Sequence, residues 1–66
     1  MKWNIRIMPN KDVEVWSFFE EMGPKIICKF TGEIELYDIC DYGSVEHYHA
    51  TYDTLSEAMM IGEKFT

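Results

Sequence analysis

Polar and apolar residues alternate from Lys2 to Met8, with Lys2, Asn4 and Arg6 on one side and Trp3, Ile5 and Ile7 on the other. A period of two predicts a strand, half-buried through Trp3, Ile5 and Ile7. Pro9 and Asn10 end it. Residues 11–22 carry two patterns at once. As a helix, Val15, Trp16, Phe18, Phe19 and Met22 share a broad face opposite Glu14, Ser17 and Glu21. Asn10 could cap that helix, Asp12 and Glu14 suit its first turn, and Gly23-Pro24 would stop it. Alternatively, Val13–Phe19 forms a strand hairpinned to the first through Pro9–Asp12, which its β-branched and aromatic content favours. The helix is the preferred assignment.

Residues 25–30 and 34–40 predict a hairpin across Thr31-Gly32-Glu33, a three-residue loop with glycine near the left-handed position. The register sets Phe30 against Ile34 and Cys28 against Leu36 on one face. On the other, Lys29 meets Glu35 and Ile27 meets Tyr37, so apolar meets apolar and cation meets anion. A second turn at Asp41–Ser44 returns the chain as Val45–Tyr52. Asp53 or Thr54 then caps a final helix, with Glu57 completing a capping-box pattern from Thr54; its apolar positions are Leu55, Met59, Met60 and Phe65, with Ala58 for close approach. The expected fold is α+β, a small two-layer domain in the order β-α-β-β-β-α. A curved antiparallel sheet of about four strands packs helix on one face. A fifth strand replaces the first helix if residues 11–22 are extended. Residues 1–66 form a single domain on this view, without repeat or linker.

Length narrows the function classes. Sixty-six residues bury only ~60% of the unfolded surface, and leave no room for two lobes around a water-excluded cleft. An enzyme is therefore not expected, and no phosphate loop, dinucleotide fingerprint or nucleophile elbow is present. No apolar run approaches a membrane span and the N-terminus lacks a signal-peptide core, so a cytoplasmic protein is expected. In a reducing compartment Cys28 and Cys40 should be free thiols. The proposed register also keeps them apart.

The charge is uneven. Between Gly32 and Glu63 lie Glu33, Glu35, Asp38, Asp41, Glu46, Asp53, Glu57 and Glu63, with no Lys or Arg, whereas the first eleven residues hold Lys2, Arg6 and Lys11 and no acid. A net charge of −6 on so small a body disfavours direct nucleic-acid or anionic-membrane binding and suits a basic protein partner, including one that itself holds nucleic acid. Acidity that simply maintains solubility is the competing explanation.

In the expected register Ile27, Tyr37, Ile39, His47 and His49 gather on the face away from Leu36, Ala50 and Tyr52. A Tyr-containing mixed patch suits an interface, either with a partner or with a second copy in a homodimer. The residues expected to bind a basic partner are Glu33, Glu35, Tyr37, Asp38, Ile39, Asp41, Glu46, Tyr48 and His49. The function expected is that of a small acidic, non-enzymatic interaction protein that modulates or inhibits its partner, as a phage-type inhibitor or nucleic-acid mimic would. The alternative is a small-ligand or metal-binding oligomeric module using His47 and His49, whose i, i+2 spacing on a strand points both rings one way. No cofactor is expected for the interaction protein.

Overall fold

In the computed structural model, residues 1–65 are described. Five strands run in chain order across one antiparallel sheet: β1 (Asn4–Ile7), β2 (Val13–Trp16), β3 (Gly23–Cys28), β4 (Ile34–Cys40) and β5 (Val45–Tyr52). A single α-helix, α1 (Leu55–Gly62), lies over β3, β4 and β5. The fold is thus a two-layer α+β arrangement with one helix and five strands, where two helices and four strands were preferred. None of the described helices is long and apolar enough to cross a membrane.

The difference lies in residues 11–22. Val13 and Val15 pair with Ile7 and Ile5 on one side and with Cys28 and Ile26 on the other, so the segment is a central strand. Val15 is buried in the core with Ile26, Leu36 and Ala58. Four-residue β2 satisfies two neighbours at once, and that tertiary gain outweighs the helical periodicity of its side chains.

Two hairpin loops of the same design close one end of the sheet. Around Pro9-Asn10-Lys11, the Met8 N–H donates to the Asp12 carbonyl (2.8 Å) and the Lys11 N–H to the Met8 carbonyl (2.9 Å). Around Phe30-Thr31-Gly32, the Lys29 N–H donates to the Glu33 carbonyl (2.8 Å) and the Gly32 N–H to the Lys29 carbonyl (2.8 Å). The second loop therefore sits one residue earlier than expected. Every β3–β4 pairing shifts by two, setting Cys28 against Ile34, Ile26 against Leu36 and Lys25 against Tyr37. A shift of two preserves faces, so Leu36 still points to the core and Tyr37 away from it.

Thr54 caps α1 by accepting from the Glu57 N–H at 3.1 Å. Ala58 and Gly62, one turn apart, face the sheet and are buried. A side chain at Gly62 would stand only 3.0 Å from Pro24 and 3.3 Å from the Trp3 ring, so glycine lets the helix settle directly on β3. Met60, an expected core position, is exposed instead, and so are Phe30, Ile5 and Ile7. Alternation in β1 correctly groups Trp3, Ile5 and Ile7 on the core face, with Trp3 against Gly62 and Ile5 beside Val15. However, α1 lies over β3, β4 and β5 and does not reach far enough to cover the two isoleucines.

Candidate functional site

The end of the sheet opposite the twin loops is built from two strained turns. After β2, the Phe19 and Met22 backbones exchange hydrogen bonds of 2.8 and 3.0 Å around Glu20 and Glu21, whose φ angles are +53° and +65°. Two consecutive positive φ values define a tight hairpin turn that ordinarily takes Asn-Gly. Gly23 follows with φ +140°, and a Cβ there would lie 2.3 Å from the Ser17 carbonyl oxygen, so position 23 admits no side chain. After β4, Asp41, Tyr42 and Gly43 take φ values of +52°, +54° and +92°. The Ser44 hydroxyl donates to the Asp41 carbonyl at 2.7 Å and steadies the turn. Of the described non-glycine residues at positive φ, only Lys11 lies elsewhere. Strain of this kind persists where surrounding structure enforces it, and it concentrates at functional sites.

Between the two turns, on the sheet face away from α1, lies an open cleft of about 370 Å³. Its floor is Ile39, only 5% exposed. Phe18 and Tyr42 form aromatic walls, and Tyr42 is 65% exposed. Glu14, Glu21 and Glu46 line it together with Lys25. The Lys25 ammonium is 3.1 Å from Glu46 Oε2 and 4.0 Å from Glu14 Oε2, and lies 5.9 Å from the centre of the Tyr37 ring. Its side chain is 19% exposed, so the packing of Tyr37 and the two glutamates holds a mostly desolvated cation in place. Arg6 also reaches Glu14, at 3.5 Å, so three carboxylates face two cations and the cleft keeps a smaller negative surplus.

Beside the cleft, the Tyr37 hydroxyl donates to Glu35 Oε1 at 3.0 Å, and Lys29 Nζ is 3.7 Å from Glu35 Oε2. Burial, followed by that hydrogen bond and the nearby carboxylates, pushes the Tyr37 phenol above its ordinary pKa. Tyr48 meets the Tyr37 ring edge-on, with centroids 5.7 Å apart. On the far side of the Phe19–Met22 turn, Phe19, Met22, Cys40 and Phe65 line an apolar groove of about 410 Å³ that also touches Asp38.

A bulge in β5 decides which predicted residues assemble. Leu36 pairs with Ala50 but Tyr37 pairs with Tyr48, so His49 is the extra residue and parity changes beyond it. Tyr48 and Glu46 thereby join Glu35, Tyr37 and Ile39 on the cleft face. His47, paired with Asp38, falls on the helix side. His49 stacks there on Tyr52 (6.5 Å) and meets Phe65 edge-on (5.1 Å). The expectation that both histidines share the Tyr37 face is therefore corrected, since an extra residue reverses every side chain on its far side. Asp38 also lies on the helix side. Asp41 sits in the turn beside the cleft, while Glu33 is at the opposite end, where the Thr31 hydroxyl donates to its carboxylate and holds its pKa down.

Among the described residues, no three His, Cys, Asp or Glu side chains are grouped to hold a metal ion. Cys28 and Cys40 are free and half-buried, and desolvation raises both thiol pKa values, helped at Cys40 by Asp38. Residue patterning missed Glu14, Phe18, Glu21, Lys25 and Tyr42. The available signal was the Glu20-Glu21-Met22-Gly23-Pro24 run, which marks a turn once Val13–Trp16 is taken as a strand. No family model, curated protein or solved structure matches this chain.

Proposed function

We propose that the chain is a small acidic, non-enzymatic interaction protein that binds a basic partner protein by accepting one of its Lys or Arg side chains in the cleft between Phe18 and Tyr42. The observation that carries this reading is the composition of the cleft: aromatic walls, a carboxylate rim and flanking turns held at positive φ. Ring faces and carboxylates together attract a cation, and the attraction grows as water is displaced. Glu14 and Glu46 already hold one ammonium group, that of Lys25. The remaining acidity of the chain would steer the encounter, and the rings would set the lifetime of the complex. A partner that uses its basic surface to hold DNA or RNA would be inhibited by occupation of that surface.

Fluorescence titration with an arginine-rich peptide tests this. Glu21→Gln with Glu46→Gln should weaken binding and flatten its dependence on salt, and Tyr42→Ala should speed dissociation. Glu57→Gln, on α1, removes the same charge at a distance and should change binding little. Equal effects from Glu57→Gln and Glu46→Gln would reduce the interaction to overall charge and remove the cleft from it.

A further inference from the structure

The free edge of β1 carries features that the cleft does not explain. In an antiparallel ladder, residues alternate between those whose backbone groups point to the neighbouring strand and those whose groups point away. The Met8 N–H to Asp12 carbonyl bond fixes that phase at one end of the β1–β2 hairpin. The Ser17 N–H to Pro24 carbonyl bond, 3.1 Å, fixes it independently from the β2–β3 side. Both assign the N–H and C=O groups of Asn4 and Arg6 to β2, through the pairs Asn4–Trp16 and Arg6–Glu14. Those of Ile5 and Ile7 therefore point to the open edge. The same two residues are 69% and 76% exposed. One short strand thus offers unpaired backbone groups and bare β-branched side chains together, the arrangement that strand addition uses.

We infer that β1 pairs antiparallel with β1 of a second copy, joining two five-stranded sheets into one of ten strands about a two-fold axis through Ile5. Backbone phase admits only pairings between outward-pointing residues. An axis through Arg6 would set the two guanidinium groups directly opposite one another, which opposes association. An axis through Ile5 sets Ile5 against Ile5, Ile7 against Trp3, and Arg6 against Asn4, so apolar meets apolar and no like charges face. Charge also selects this edge over the other one. Residues 1–11 contain no acid, whereas β5 and the residue after it carry Glu46 and Asp53. Pairing β5 with β5 would bring those carboxylates together, whereas pairing β1 with β1 about Ile5 keeps the acids of the two copies apart and sets Arg6 against Asn4. A closed two-fold contact leaves no further β1 edge, so assembly stops at the dimer. β1 brings only 4 residues a side, against about 20–30 in a standard stable interface, so the dimer forms at high protein concentration and dissociates on dilution.

Sedimentation equilibrium across a wide concentration range, paired with amide hydrogen exchange on the unmodified chain, tests the inference. The expected result is a weight-average mass rising from one chain towards two, with the Ile5 and Ile7 amides gaining protection over the same range. Ile5→Lys, at an exposed position, should keep the melting temperature and weaken association about tenfold or more, because it places two lysines face to face. A mass that stays at one chain throughout overturns the inference. So does a dimer in which the Ile5 and Ile7 amides exchange as freely as in dilute protein. Growth beyond two chains, with β5 amides also protected, would indicate head-to-tail pairing of β1 with β5 and would likewise overturn the two-fold contact.

Discussion

The Asp12 carboxylate accepts a hydrogen bond from the Phe30 backbone N–H at 2.9 Å, tying the β1–β2 loop to the β3–β4 loop. Its other contacts are local: the Asp12 N–H donates to Asn10 Oδ1 at 3.1 Å, and Asn10 Nδ2 donates to Asp12 Oδ2 at 3.1 Å. One side chain therefore fixes the shape of its own loop and its distance from the next. Asp12→Ala should lower stability by about 1–2 kcal/mol, the scale of a hydrogen bond to a charged acceptor. Chemical denaturation measures it. Asn10→Ala, which leaves the Phe30 contact in place, should have a smaller effect.

The twin loops make an internal comparison. Gly32 and Lys11 occupy equivalent positions, at φ +109° and +75°. Nothing lies within 4 Å of a Cβ built at Gly32, so a substitution there is opposed by the backbone conformation alone. Lys11→Gly should raise stability by about 1 kcal/mol, and Gly32→Ala should lower it by a similar amount. The lysine also places its ammonium 5.6 Å from the Phe30 ring centre. That contact is exposed and subtracts only part of the gain.

Tyr42 sets stability against binding. Its φ of +54° is unfavourable for a side chain with a Cβ, and the ring is mostly exposed. Tyr42→Gly should therefore raise the melting temperature, by an increment equivalent to about 1 kcal/mol. The same variant removes one wall of the cleft and should lose affinity for the arginine-rich peptide. A gain in stability without a loss of binding would show that the ring has no part in recognition.

Alkaline titration should single out Tyr37. The fold raises its phenol pKa, so the native state holds that proton more tightly than the unfolded chain. The resulting stability is complete below the ordinary tyrosine pKa of 10.0 and is lost as pH rises through the higher folded value. Ultraviolet difference spectra should show a late tyrosine ionisation, and Tyr37→Phe should remove it. Stability of Tyr37→Phe should in turn fall less steeply above that pH than stability of the parent chain.

How far the residues foretold the fold depends on what each pattern encodes. The β3–β4 hairpin, its two faces and the Thr54 cap were legible, because turn glycine, cross-strand charge and a capping hydroxyl are local signals. Tyr37 stayed on its expected face even though the loop moved, since displacing a three-residue loop by one position changes the register by an even number. The bulge at His49 had no such marker. It exchanged His47 for Tyr48 on the cleft face, and nothing in Val45–Tyr52 announces it. Val13–Trp16 failed for a different reason. Its side chains satisfy both periodicities, and the choice is made by Ile5 and Ile26 on either side, which lie eight or more residues away. The cleft went unseen with it, because Phe18, Glu21 and Lys25 converge only when residues 17–22 form a turn.

The order of the sheet has a kinetic consequence. Every strand pairs with the strand made immediately before it, so no ladder requires closure of a long loop. Assembly can proceed as a succession of short hairpins, a route associated with fast folding for a sheet of this size. The helix comes last and closes over β3, β4 and β5. Until then Ile26, Leu36 and their neighbours are open on one side, so an emerging chain is most vulnerable to aggregation before Ala58 and Gly62 have been translated. Release of β1, whose Ile5 and Ile7 stay exposed, should be the lowest-energy opening once the chain has folded, and native-state hydrogen exchange would reveal it as a step separate from global unfolding.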